Sequence, residues 1–197
     1  MHISEGILSW PVLAGCGVVA MAGTAAGLRR MDHENIPRTG MLSAAFFVAS
    51  LIHIPLGPSN VHLILNGLVG LILGWSAFPA ILVAILLQAV LFQYGGITTL
   101  GVNTTIMAVP ALLAYYLFRP FAGKREPLVF AGAFLCGMAA VLVGALLAAL
   151  VLVWSEESFW EVSAMLVAAH LPVMVVEGLI TGFAVVFLKK VKPSLLA

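Results

Sequence analysis

Residues 128–153 read LVFAGAFLCGMAAVLVGALLAALVLV, a run with no charged side chain and no proline. About twenty apolar residues cross the hydrocarbon core of a bilayer as a helix, and this run exceeds that length. A stretch so uniformly apolar has no polar face to turn toward water, so its natural surroundings are lipid and other helices. The rest of the chain repeats the pattern. With Pro, Gly and charge clusters as boundaries, apolar segments fall at roughly 11–28, 40–55, 61–77, 79–95, 103–119, 128–153 and 161–188. The 197 residues are 62% hydrophobic and 9% charged, with a mean hydropathy of +1.15. Soluble domains carry roughly 25% charged residues. The expected fold is an all-α integral membrane protein with seven transmembrane helices. The second and third segments are short and the sixth and seventh long, so some helices must tilt or start below the surface.

The charges orient this bundle. All nine Lys and Arg lie in three clusters: Arg29, Arg30 and Arg38; Arg119, Lys124 and Arg125; and Lys189, Lys190 and Lys192. Counted over seven crossings, the three clusters share one face, together with the turn Ser76-Ala77-Phe78-Pro79. The other face holds Glu5, Glu156, Glu157 and Glu161. Lys and Arg mark the cytoplasmic side, so the N-terminus is expected outside and the C-terminus inside. The reading is a single membrane domain, 1–197: an N-terminal segment 1–10, a bundle 11–188 and a short cytoplasmic tail 189–197. Small residues at four-residue spacing, Gly23 and Gly27, Ala45 and Ala49, and Ala140, Gly144 and Ala148, allow close helix approach within the chain or against a partner. Cys16 and Cys136 sit singly in apolar runs and read as small buried residues.

The N-terminus, Met1-His2-Ile3-Ser4-Glu5-Gly6, has an acidic residue and no basic leader, so it does not read as a secretory signal. Met1 is expected to stay on the chain. Its α-amino group, the amide nitrogen of His2 and Nδ1 of His2 can close two adjacent chelate rings on one ion, an arrangement suited to Ni(II), Co(II) or Cu(II). A fourth nitrogen from another histidine would complete a square. The loop Ile54-Pro55-Leu56-Gly57-Pro58-Ser59-Asn60-Val61-His62 falls on the same outer face, and two prolines with a glycine restrict its shape. His62 is the candidate for that nitrogen; the alternative is that it bonds a loop carbonyl.

Other polar residues could surround such a site. His53, near the outer end of the second helix, could orient a ligand ring or bond a backbone carbonyl. Ser59, Asn60, Asn103 and Asn66 are near enough in topology to donate hydrogen bonds. His170 and Glu177 are two turns apart on the seventh helix and so share a face. A carboxylate in such a run faces the protein interior or a cavity. It could tie the helix to the N-terminal loop, or form a structural cluster between helices. Pro172, between them, is expected to bend the helix. His33, between Asp32 and Glu34, reads as a solvated residue.

The sequence has no G-x4-G-K-[ST] phosphate loop and no Ser/His/Asp or H-E-x-x-H grouping. No basic-aromatic stripe suggests nucleic acid. The chain is therefore expected to be no enzyme, and any uphill transport draws energy from another subunit or an ion gradient.

Four stretches carry a resemblance. Met-His-Ile-x-acidic-Gly at 1–6, Pro-Leu-Gly-Pro-Ser-Asn-Val-His-Leu at 55–63, Gly-Gly-Ile-Thr-Thr-Leu-Gly-Val-Asn-Thr at 95–104 and Ala-His-Leu-Pro-Val-Met-x-x-Glu-Gly at 169–178 resemble the CbiM/NikM family. That family supplies the substrate-binding (S) component of energy-coupling-factor cobalt and nickel transporters. The resemblance implies that the N-terminal segment folds into the bundle. It also implies that Met1, His2 and His62 bind one Co(II) or Ni(II) as cargo. The implied partners are a transmembrane coupling (T) subunit, two ATPase subunits and, in some systems, a small accessory membrane protein, in a prokaryotic cytoplasmic membrane. The alternative is a stand-alone proton-coupled secondary transporter of divalent metals working through Glu177.

Overall fold

Continuous helix is what the apolar runs can form without leaving backbone N–H and C=O groups unpaired in lipid. The computed structural model describes residues 2–56 and 59–196, and only the backbone of 53–56 and 59–61. Its helices are α1 (Trp10–Arg29), α2 (Ile36–Ala49), α3 (Asn66–Leu73), α4 (Ala77–Phe92), α5 (Leu100–Phe118), α6 (Glu126–Ser155) and α7 (Trp160–Val191). Five helical stretches are long and apolar enough to cross a membrane: Trp10–Arg29, Asn66–Phe92, Leu100–Phe121, Glu126–Ser155 and Glu157–Val191. Proline stands in the first turn of α1, α2 and α6, where a missing N–H costs nothing. Pro172 lies inside α7, which continues through it as helix.

Two boundaries differ from expectation. The second helix ends at Ala49, not near 55, and the third begins at Asn66, not 61. Between them the chain forms a two-stranded antiparallel hairpin, β1 (His53–Leu56) and β2 (Ser59–His62), with His53 opposite His62. Pro55 lacks an N–H donor that a helix would need and that a two-stranded hairpin can do without. His53 is thus on a strand and not at a helix end, and its side chain lies outside the described residues.

The stretch Asn66–Phe92 is not one rod. Gly74 adopts φ +55° and ψ −123°, a conformation closed to most L side chains, and the chain reverses there. His62 before α3 and Gln88 near the end of α4 both meet His2, whereas Trp75 in the turn meets Tyr116 and Arg30 at the opposite end. The reversal lets the short α3 sit at the centre, with Asn66, Gly67, Val69, Gly70, Leu71 and Ile72 all buried. At Gly70 an added Cβ would fall 2.0 Å from the carbonyl oxygen of Ala111, so α3 and α5 touch backbone to backbone. In lipid such contact supplies the dispersion that apolar burial alone cannot. Gly23 and Gly27 face the Phe78 ring and Pro79, and Ala140, Gly144 and Ala148 are buried, so these small-residue stripes pack inside the chain.

One end of the bundle gathers the cations. Arg38 donates to the Ile72 and Leu195 carbonyls, Lys189 donates to the Lys124 carbonyl, and Lys190 pairs with Glu126 at 3.0 Å. The other end holds the N-terminal segment. Outward faces between the ends are apolar and exposed, with Met21 68% and Phe183 65% accessible, as lipid-facing residues must be.

Candidate metal centre

The N-terminal segment is anchored before it reaches α1. Ile3 is buried in the main core beside residues of α4, α5 and α6. Its N–H donates to Asn103 Oδ1 at 2.9 Å, and its carbonyl accepts from Asn103 Nδ2 at 3.1 Å. One fully buried amide thus pairs both main-chain groups of the residue after His2. Glu5 accepts from the Thr98 N–H at 2.9 Å and hydroxyl at 3.2 Å, and these bonds hold its carboxyl below the usual carboxylate range. The Ser9 N–H donates to Ser155 Oγ at 3.1 Å. The loop 93–99, α5 and the end of α6 therefore fix where His2 lies.

His62 is fixed from the other side. It ends β2, and the two residues beyond Leu63 are held by Glu177: the N–H groups of Ile64 and Leu65 both donate to its carboxylate, Leu65 at 3.0 and 2.9 Å to the two oxygens. Leu65 has φ +57°, a left-handed conformation that a leucine holds only when its surroundings enforce it. Glu177 is 1% exposed. A carboxylate buried that deeply needs such N–H partners.

The two rings meet. His2 Nε2 lies 2.7 Å from Gln88 Oε1, an oxygen that can only accept, so the ring proton sits on Nε2 and Nδ1 keeps its lone pair. His62 Nδ1 lies 2.8 Å from the Leu63 carbonyl oxygen, so its proton sits there and Nε2 keeps its lone pair. His2 Nδ1 and His62 Nε2 then face each other at 3.1 Å, both as acceptors. Two neighbouring donors on one ion at about 2.0–2.1 Å per bond stand about 2.8–3.4 Å apart, from planar to tetrahedral geometry. Burial pushes the His2 imidazole down to about 3, so the ring is neutral and available to a metal at any ordinary pH. The Tyr94 ring closes over His2, centroids 5.7 Å apart.

Among the described residues no three His, Cys, Asp or Glu side chains converge as a metal cage. Met1 and the side chains of His53, Ser59 and Asn60 lie outside the described residues. Asn103 reaches the site through Ile3. Glu177 reaches it through the segment after His62. His170 Nδ1 donates to the Leu166 carbonyl of its own helix at 2.8 Å. Asn66 serves α3, accepting from the Gly67 N–H and donating to the Met107 carbonyl. Gln88 was not among the expected residues, although it is the one polar side chain in α4 and therefore had to find a partner.

Comparison with known proteins adds the family. Residues 2–195 match the CbiM profile, described as the cobalt uptake substrate-specific transmembrane region. A Haemophilus influenzae protein, provisionally named a metal transport protein, is 42% identical over 201 residues, covering 100% of this chain and 97% of that one. The cobalt transport protein CbiM of Geobacter sulfurreducens is 33% identical over 214 residues, covering 100% of this chain and 62% of its own length. A crystal structure of a transition metal transporter superposes with a TM-score of 0.77 at 27% identity, covering 97% of this chain and 93% of that one. With its long apolar helices, the chain is a multi-pass membrane protein and belongs to the CbiM family of cobalt-uptake substrate-specific transmembrane proteins.

Proposed function

We propose that the chain captures one Co(II) or Ni(II) ion through the Met1 amine, the amide nitrogen and Nδ1 of His2, and Nε2 of His62. The observation that carries this reading is the pair of facing lone pairs at 3.1 Å, each set by a hydrogen bond on the far side of its ring. A cation placed between the rings can accept both lone pairs. The Met1 amine with the His2 amide, and that amide with His2 Nδ1, close five- and six-membered rings onto the same ion, so all four donors are nitrogen. Such a set disfavours Mg(II) and Ca(II), which take oxygen ligands in larger shells, and favours Ni(II) over Co(II) by intrinsic affinity.

The chain then works as the non-catalytic substrate-binding subunit of an ATP-driven importer in a prokaryotic cytoplasmic membrane. A coupling membrane subunit, two ATPase subunits and, in some assemblies, a small accessory membrane protein complete it. Its seven helices α1–α7 form the membrane bundle, in which the eight-residue α3 spans only part of the bilayer, with His2 outside and α7 ending in the cytoplasm. The gathering of Arg38, Lys189 and Lys190 at the end opposite His2 supports that orientation.

Titration of Ni(II) into purified protein with a free Met1 amine should saturate at one ion per chain. It should release protons from the amine and the His2 amide, and give the diamagnetic spectrum of a planar d8 ion. Because those protons compete with the metal, affinity falls as pH is lowered. Saturation at zero, or a paramagnetic six-coordinate ion, would overturn the ligand set. Within the same assay, Gln88→Leu leaves the His2 Nε2–H unpaired and the ring free to turn. An affinity about 10–100-fold weaker is expected, the usual effect of losing a partner that orients a ligand. Unchanged affinity would reduce Gln88 to packing.

A further inference from the structure

The end of the bundle opposite His2 carries a polar cleft of about 350 Å³ whose walls include Arg30, Trp75, Ser76, Tyr115, Tyr116 and Arg119. The Arg30 guanidinium lies 4.4 Å over the Trp75 ring, and that of Arg119 is 5.8 Å from the Tyr115 ring centroid. Stacking on an aromatic face holds a guanidinium plane while leaving its edge N–H groups to donate. Trp75 Nε1–H donates to the Tyr116 hydroxyl at 2.8 Å, which ties the aromatic walls together. Among the described residues the single ion pair is Lys190 with Glu126, so neither cleft arginine is neutralised by a carboxylate. Two cations from different helix ends, with a serine and a phenol beside them, make a receptor for a phosphate oxyanion.

We propose that this cleft binds the phosphate of an anionic phospholipid in the inner leaflet, with Arg30 and Arg119 on the headgroup. Three observations select a lipid over a soluble phosphate. Trp and Tyr line the cleft, as they line membrane–water interfaces. The surface beside it is apolar and open, with Leu117 47% and Leu113 39% exposed next to Tyr116 on α5, where acyl chains would lie. Basic pockets between transmembrane helices on the cytoplasmic side are suited to anionic headgroups. The leaflet named rests on the orientation proposed above; the binding itself does not.

The test uses the full chain in detergent micelles with Trp10, Trp154 and Trp160 changed to Phe, leaving Trp75 as the fluorescent reporter. Those three indoles are 77%, 74% and 69% exposed, so the fold tolerates their loss. Short-chain phosphatidylglycerol should give a saturable change, and phosphatidylcholine should not. Arg30→Gln with Arg119→Gln should weaken binding about 25-fold, at roughly fivefold per cation near an anionic headgroup. Unchanged Ni(II) affinity would show that this variant is folded. Equal responses to the two lipids, or full affinity in the double variant, would overturn the site. Inorganic phosphate saturating the cleft at the same concentration as the lipid would overturn the lipid assignment.

Discussion

An uncleaved extension of three residues ahead of Met1, such as Gly-Ser-Ser, should weaken Ni(II) binding at least about a thousandfold, a loss of about 4 kcal/mol or more. Every side chain remains, as do the Asn103–Ile3 and Glu5–Thr98 bonds that dock the segment, so the fold is expected to melt unchanged. What is lost is the primary amine, and with it the ring that makes deprotonation of the neighbouring amide favourable. Two imidazoles alone then face the ion. The extension has to exceed one residue. With His at the third position, the amine, two amides and the imidazole would form a planar four-nitrogen site by themselves, and retained binding would say nothing about the native chelate. Calorimetric titration of the free and extended proteins decides the matter. Equal affinity would mean that the metal is held without the amine, and the site would have to be rebuilt from His2, His62 and the groups around them.

Much of this arrangement was legible in the sequence, for reasons that differ by residue. The helices α5, α6 and α7 were plain because each is a long apolar run whose ends are marked by Pro, Gly or charge, and their observed bounds fall within a few residues of those expected. The region 50–65 was not legible. Its hydropathy is the same whether it is helix or hairpin, and the choice is made by tertiary bonds: the Leu63 N–H to the Ile52 carbonyl, and the Ile64 and Leu65 N–H groups to Glu177, more than a hundred residues away. The short α3 was hidden for a similar reason, since Gly74 looks like any other glycine until the chain is seen to turn there. At the site, His2 and His62 could be paired by topology alone. The partner that fixes the His2 tautomer could not. Gln88 acts through one hydrogen bond spanning 86 residues, which no local pattern encodes, whereas Asn103, expected near the site, pairs both main-chain groups of Ile3.

Glu177→Gln should weaken Ni(II) binding about 10–100-fold in detergent, where no gradient exists, because the carboxylate acts on His62 through the chain. Both oxygens accept from main-chain N–H groups just beyond Leu63. An amide offers one oxygen and one NH2 group, and the NH2 group cannot accept. With its oxygen where both N–H groups already donate, the NH2 group stands against the Leu65 N–H, which now bonds the other oxygen at 2.9 Å, and this donor-to-donor contact costs about 1–3 kcal/mol. The left-handed Leu65 loses what enforces it, and His62 no longer presents Nε2 to His2 at a fixed distance. A lower melting temperature should accompany the weaker binding. A carboxylate that carried protons for a stand-alone transporter would behave differently. Its amide variant would bind metal normally in micelles and fail only in gradient-driven uptake by proteoliposomes. The two roles separate on one comparison, affinity in detergent against uptake in vesicles. Normal affinity with lost uptake would move Glu177 from the clamp on His62 to the transport step itself.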